Sequence, residues 1–134
     1  MDFSFTPEQL AVRDQVYKFT VKELAPLAAP ADRTGTWSVE AWKALGDFGI
    51  LGLHYPEEYG GAGAEVVTTC LAAEALGEGG ADSGLLLGYG AHTFLCGDTI
   101  LKHGNDEQRK KYLPGLASGK LVGCMGLTEP GAGS

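Results

Sequence analysis

The sequence predicts an all-α chain of about five helices that ends by entering a β-strand. Three observations carry this. Capping signatures recur ahead of apolar residues at helical spacing, at Thr6, Ser38 and Asn105. Clusters of Gly and Pro separate these stretches. After Gly119 the period changes, and Leu121, Val122, Cys124, Met125 and Leu127 form a short apolar run of the kind found in a buried strand.

In the first element Thr6 caps, Pro7 occupies the first helical position and Gln9 completes a capping box. Phe5 and Leu10 are spaced as a hydrophobic staple. Leu10, Tyr17, Val21 and Leu24 share one face, which Val16 and Phe19 broaden. Pro26 is expected to end this helix, and Pro30 with the Asp32, Arg33, Thr34, Gly35 run reads as a connecting loop.

The second helix starts at Ser38, with Trp37 and Trp42 as its staple, Trp42 and Leu45 inward, and Gly49 as a left-handed terminator. Residues 52–63 contain Pro56, Gly60, Gly61 and Gly63 and read as a long ordered loop. A third helix over 65–76 turns Val66, Cys70, Ala73 and Leu76 inward and stops at Gly77, Gly79 and Gly80.

The fourth helix runs from Asp82 or Ser83 to His103, with Gly104 as terminator. It carries Gly84, Gly88, Gly90 and Gly97 in its interior. Each costs roughly 0.5–1 kcal/mol relative to Ala, so something must need the missing side chains. Tight packing is the simpler reason, and a ligand approaching the backbone is the sharper one. The fifth helix opens at Asn105 with Gln108 in the capping-box position and carries Tyr112, Leu113 and Leu116; Pro114 should shorten or kink it.

The composition excludes several classes. Hydrophobic residues make up 44% and charged residues 20%, an ordinary globular balance. The net charge of −7 gives no electrostatic reason to bind nucleic acid. Cys70, Cys96 and Cys124 are odd in number and form no CxxC, so they read as three buried or half-buried thiols in a reducing compartment. No basic stretch precedes an apolar run at the N-terminus, and no segment approaches about 18 apolar residues, so a soluble, cytoplasmic protein is expected.

Three stretches carry a resemblance. The first is Leu51-Gly52-Leu53-His54-Tyr55-Pro56-Glu57-Glu58-Tyr59-Gly60-Gly61. The second is His103-Gly104-Asn105-Asp106-Glu107-Gln108-Arg109-Lys110-Lys111-Tyr112-Leu113-Pro114, followed by Leu116-Ala117-Ser118-Gly119. The third and most specific is Leu127-Thr128-Glu129-Pro130-Gly131-Ala132-Gly133-Ser134. Together they resemble the acyl-CoA dehydrogenase family, whose signature looks like the last of the three. The segment from Phe3 to Leu10 also fits that family's usual start.

The resemblance implies an N-terminal helical domain over 1–120. Residues 121–134 would then be the first strand and FAD-contact turn of a middle β-domain. It implies FAD as cofactor, with Met125, Gly126, Leu127, Thr128, Gly133 and Ser134 touching it, and Ser134 also touching the acyl-thioester substrate. Met125 departs from the aromatic residue often found at its position. The chemistry implied is α,β-dehydrogenation of an acyl-CoA or acyl-carrier thioester, with electrons passing to an electron-transfer flavoprotein or another acceptor. The general base is a Glu expected downstream of this chain, so no catalytic residue is assigned here and Glu129 is structural. Relatives form homotetramers or dimers. The fourth helix would help wall the acyl pocket, with Cys96, Gly97 or Ile100 setting its depth.

The residues have their own logic beside this. A strand ending in a Pro/Gly turn leaves successive N–H and C=O groups free for a ring of alternating donors and acceptors, and glycines at 131 and 133 admit a ligand close to the chain. His54, His92 and His103 read as surface or packing residues, with His92 set apart by its place on the Gly-rich helix. A lone strand has no ladder partner, so a piece of a longer enzyme is expected ahead of a split enzyme or a free helical module. The alternatives in function are a flavin monooxygenase or nitroalkane oxidase-like enzyme of the same fold, and a non-catalytic helical interaction module.

Overall fold

The computed structural model describes residues 4–133. Seven α-helical stretches follow one another: α1 (Pro7–Phe19), α2 (Ala25–Thr34), α3 (Val39–Phe48), α4 (Val66–Glu78), α5 (Ser83–Gly90), α6 (Asp98–His103) and α7 (Asp106–Ala117). Two pairs are continuous. A π-helical turn, Thr20–Leu24, joins α1 to α2, and another, Ala91–Gly97, joins α5 to α6, so the chain is built from five long helical rods.

The capping signatures form as the residues dictate. Thr6 and Gln9 exchange backbone and side-chain bonds of 2.9 and 3.2 Å, and Asn105 and Gln108 do the same at 2.8 and 2.9 Å. Ser38 caps α3 through the Ala41 N–H, and the Trp37 and Trp42 rings lie 5.6 Å apart. Gly49 closes α3 in the left-handed region.

Pro26 does not end the first helix. Proline has no N–H to give and its ring needs room in the preceding turn. The turn ahead of it widens, with Ala25 N–H bonding Thr20 C=O, and the rod continues. Pro30 lies within α2 on an exposed stretch, where water can satisfy the carbonyl it leaves free. The expected loop at 32–35 is therefore the last turn of α2. It is closed by Gly35, at φ 61°, with Gly35 N–H bonding Asp32 C=O and Thr36 N–H bonding Ala31 C=O. Pro114 likewise sits inside α7 without shortening it. Gly104 follows the end of α6 with extended backbone.

The core lies between α1, α3, α4 and α5. Val16, Leu24, Trp42, Leu45, Ile50, Leu51, Ala72, Leu76, Leu85 and Tyr89 form it, and α1 packs along α4. Along α1 and the π turn after it the buried ridge is Val16, Thr20 and Leu24, four residues apart; Leu10, Tyr17 and Val21 of the expected face are exposed. On α4 the expected inward set holds only in part. Leu76 is buried and Ala73 half-buried, while Val66 and Cys70 are exposed and Thr68, Thr69 and Leu71 face the core. Threonine is accepted there because its hydroxyl bonds the preceding turn: Thr69 Oγ1 donates to Glu65 C=O at 3.1 Å and Thr20 Oγ1 to Val16 C=O at 2.8 Å.

A second cluster of Tyr55, Tyr59, Leu113, Leu116 and Ala117 joins the 52–63 loop to α7. Two of the fourth rod's glycines serve aromatic packing: a Cβ at Gly88 would meet the Trp37 ring, and one at Gly97 the Tyr55 ring. Beside Gly90 the space is open. Of the three cysteines expected to be buried or half-buried, Cys96 is half-buried, whereas Cys70 and Cys124 are exposed. Beyond α7 the chain is irregular. Among the described residues it pairs with no strand, and its one β-bridge is internal, between Glu129 and Ala132. No helix of the described residues is long and apolar enough to cross a membrane.

Candidate cofactor-facing edge

The segment after α7 is tied to the helices at several backbone points, the first where Trp42 Nε1 donates to Gly119 C=O at 3.1 Å. Leu121 N–H donates to Gly115 C=O at 2.9 Å. Gly123 N–H donates to His92 Nδ1, also at 2.9 Å. A Cβ on Gly123 would collide with the Cys96 side chain, so the backbone runs directly over the fourth rod. Further on, Glu129 and Ala132 exchange bonds of 2.7 and 3.1 Å and close a tight turn, with Gly133 returning beside the Thr128 methyl.

Between Gly123 and this turn lie Met125, Gly126, Leu127 and Thr128. No backbone hydrogen bond joins them to another described residue, and all four are exposed, Leu127 to 78%. Open space surrounds Gly126 and Gly131 where a side chain would begin. The structure thus brings five of the sequence-predicted site residues, these four and Gly133, onto one strap. Ser134 lies outside the described residues. Glu129 contributes its backbone to the turn and leaves its side chain in solvent.

Behind the strap is an apolar recess of about 340 Å³, lined by Cys96, Ile100, Tyr112, Leu116, Leu121 and Val122, among others. Cys96 and Ile100 reach it, while Gly97 lies against Tyr55 instead. Burial pushes the Cys96 thiol up, away from the reactive thiolate.

The histidines divide as packing and surface groups. His103 is exposed. His54 pins the 52–63 loop to α6 through Asp98, Nε2 to Oδ1 at 2.7 Å, and Lys102 takes the second carboxylate oxygen at 2.8 Å. Burial raises the Asp98 pKa, but the bonds from Lys102 and His54 outweigh it and hold the carboxyl below its ordinary value. His92 is fully buried and meets Trp42 edge-on, with ring centroids 4.9 Å apart. Burial depresses its pKa, partly offset by its bond to Leu116 C=O. No group of His, Cys, Asp or Glu among the described residues could hold a metal ion.

The sequence marked His92 only by its place on a Gly-rich helix. Its two bonds, to Leu116 and Gly123, span 24 and 31 residues, and no local pattern announces such a link.

The model of the acyl-CoA dehydrogenase N-terminal domain matches residues 6–120. The chain belongs to the acyl-CoA dehydrogenase family. It is 42% identical over 134 residues to the short-chain-specific acyl-CoA dehydrogenase of Clostridium acetobutylicum, covering all of this chain and 35% of that one. To the mitochondrial isovaleryl-CoA dehydrogenase of Solanum tuberosum it is 40% identical over 132 residues, covering 97% of this chain and 32% of the relative. Among solved structures the FAD complex of PigA superposes with a TM-score of 0.93 at 32% identity, covering 100% of this chain and 35% of that one. The chain therefore spans about a third of the length of the relatives it matches.

Proposed function

We propose that this chain is the N-terminal helical part of an FAD-dependent acyl-thioester dehydrogenase that introduces an α,β double bond into an acyl-CoA or acyl-carrier thioester. Residues 1–120 are then the helical domain, and 121–134 the first strand and cofactor turn of a following β-domain. The observation that carries this is the strap at 125–128: an exposed backbone edge without hydrogen-bond partners among the described residues, hung from the helices at Leu121 and Gly123 and closed beyond by the turn at 129–132, within a run that resembles the family signature. Family membership and the FAD complex of a structural neighbour support the cofactor.

The residues fit that group. A flavin presents alternating donors and acceptors, and the free N–H and C=O groups of Met125, Gly126, Leu127 and Thr128 offer the complement. Thr128 adds a hydroxyl that can donate or accept. Open space at Gly126 and Gly131 leaves room for close approach. FAD, when bound, supplies the hydride acceptor. The residues of this chain orient it, and Met125 and Leu127 exclude water from its edge. Ser134 is assigned to cofactor and thioester. Removal of the α-proton is assigned to a Glu beyond Ser134. Electrons leave to an electron-transfer flavoprotein or another acceptor, in a cytoplasmic homo-oligomer, dimeric or tetrameric.

The test is anaerobic titration of the full-length FAD-loaded protein with butyryl-, isovaleryl- and palmitoyl-CoA and an acyl-carrier thioester. Loss of flavin absorbance with at least one of them is expected. Bound FAD that none of these thioesters reduces would contradict the reading and favour the monooxygenase or nitroalkane oxidase class.

A further inference from the structure

His92 is fully buried, and it sits in the π-helical turn Ala91–Gly97. Such a turn inserts one residue into the helix and reaims the side chains it carries, which is why it often marks functional positions. Here it aims an imidazole at two backbone groups from different parts of the chain. Gly123 offers only an N–H, so the Nδ1 that receives it is unprotonated. The proton therefore lies on Nε2, which donates to Leu116 C=O at 3.1 Å. One side ties the imidazole to the last turn of α7, the other to the start of the strap, two residues before Met125.

Apart from the Cys96 thiol, a weak acceptor that takes a bond from the Cys124 backbone, no other polar side chain of the described residues holds the backbone of 120–128 by a hydrogen bond, and the anchors at Gly119 and Leu121 lie on the α7 side. Packing fixes the distance, because nothing larger than glycine fits between the strap and Cys96. It does not fix rotation of the strap about its own axis. A single directed bond at Gly123 does.

We infer that His92 is a positioning residue for the cofactor edge: through Gly123 it sets which backbone groups of 125–128 face outward, without itself touching cofactor or substrate. This rests on the proposal that the strap receives FAD. The role is separable from filling the core, because the two ring nitrogens have different tasks. Asn places its amide oxygen near the position of Nδ1 and keeps an acceptor for Gly123. Gln places its amide nitrogen near Nε2 and keeps the tie to Leu116 while releasing Gly123.

The experiment compares the full-length protein with its His92→Asn and His92→Gln forms, reading the FAD dissociation constant and the visible circular dichroism of the bound flavin. His92→Asn should stay within about threefold of the parent and keep its flavin spectrum. His92→Gln should bind FAD about tenfold more weakly, the worth of one hydrogen bond, with an altered spectrum. Equal loss in both variants, no loss in either, or greater loss with Asn would overturn the inference. Hydrogen exchange in the FAD-loaded parent checks it without a variant: the Gly123 amide should exchange far more slowly than that of Gly131, and equal rates would overturn it. A parent that binds no FAD would instead sink the proposal on which this one rests.

Discussion

Burial of His92 sets the direction of one pH response. The folded chain holds this imidazole neutral, with its pKa depressed below the ordinary 6.5. As the pH falls below about 6.5, the unfolded chain takes up the proton first, so the folded state loses stability from there down to the folded pKa. Above 6.5 the contribution is fully present. Denaturation midpoints measured from pH 8 to pH 5 should therefore fall more steeply for the parent than for His92→Asn, which has no group to titrate there. Parallel curves would contradict the assignment. The same proton would occupy Nδ1, the atom that receives Gly123 N–H, so acid is expected to loosen the strap as well as the fold.

At the scale of elements, the π turn that follows α1 meets the glycine that caps α4. A Cβ at Gly79 would stand 2.6 Å from Thr20 Cβ and 2.8 Å from its methyl. Gly79 has ordinary right-handed backbone, φ −74°, so its smallness is a matter of space. Gly79→Ala should destabilise the protein by about 1–3 kcal/mol through overpacking, read as a lower melting temperature; an unchanged melt would show that the two rods part freely. This contact also marks where sequence reasoning reaches its limit. The caps at Thr6, Ser38 and Asn105 were legible because a cap is settled within four residues. The π turn at Thr20 was not, since Pro26 carries a stop signal that only a widened turn overrides. Nor was the inward Thr69 of α4, whose hydroxyl is satisfied by a back-bond that composition does not register. At the site, the glycines and Thr128 were legible as a strap, while its fastening to His92 depends on a contact 31 residues away.

Across the whole molecule, large apolar residues are left in solvent on several elements, the segment after α7 and the fourth rod among them. Leu121, Val122, Met125 and Leu127 lie on the strap, and Leu87, Phe94 and Leu95 on the fourth rod from which it hangs. A large exposed apolar surface marks a face that something else covers. Here the same stretch carries exposed backbone polar groups at 125–128 with no hydrogen-bond partner among the described residues, and an apolar partner alone would strip them of water and leave them unpaired. A flavin, flat and apolar with a hydrogen-bonding edge, answers both requirements. On the proposed function, residues 125–128 form the edge on which FAD is seated. Amide hydrogen exchange of the full-length protein, with and without FAD, tests it most directly. Slowed exchange at Met125, Gly126, Leu127 and Thr128 when FAD binds is the predicted result. Protection that appears elsewhere, with those amides exchanging equally fast in both states, would contradict the account.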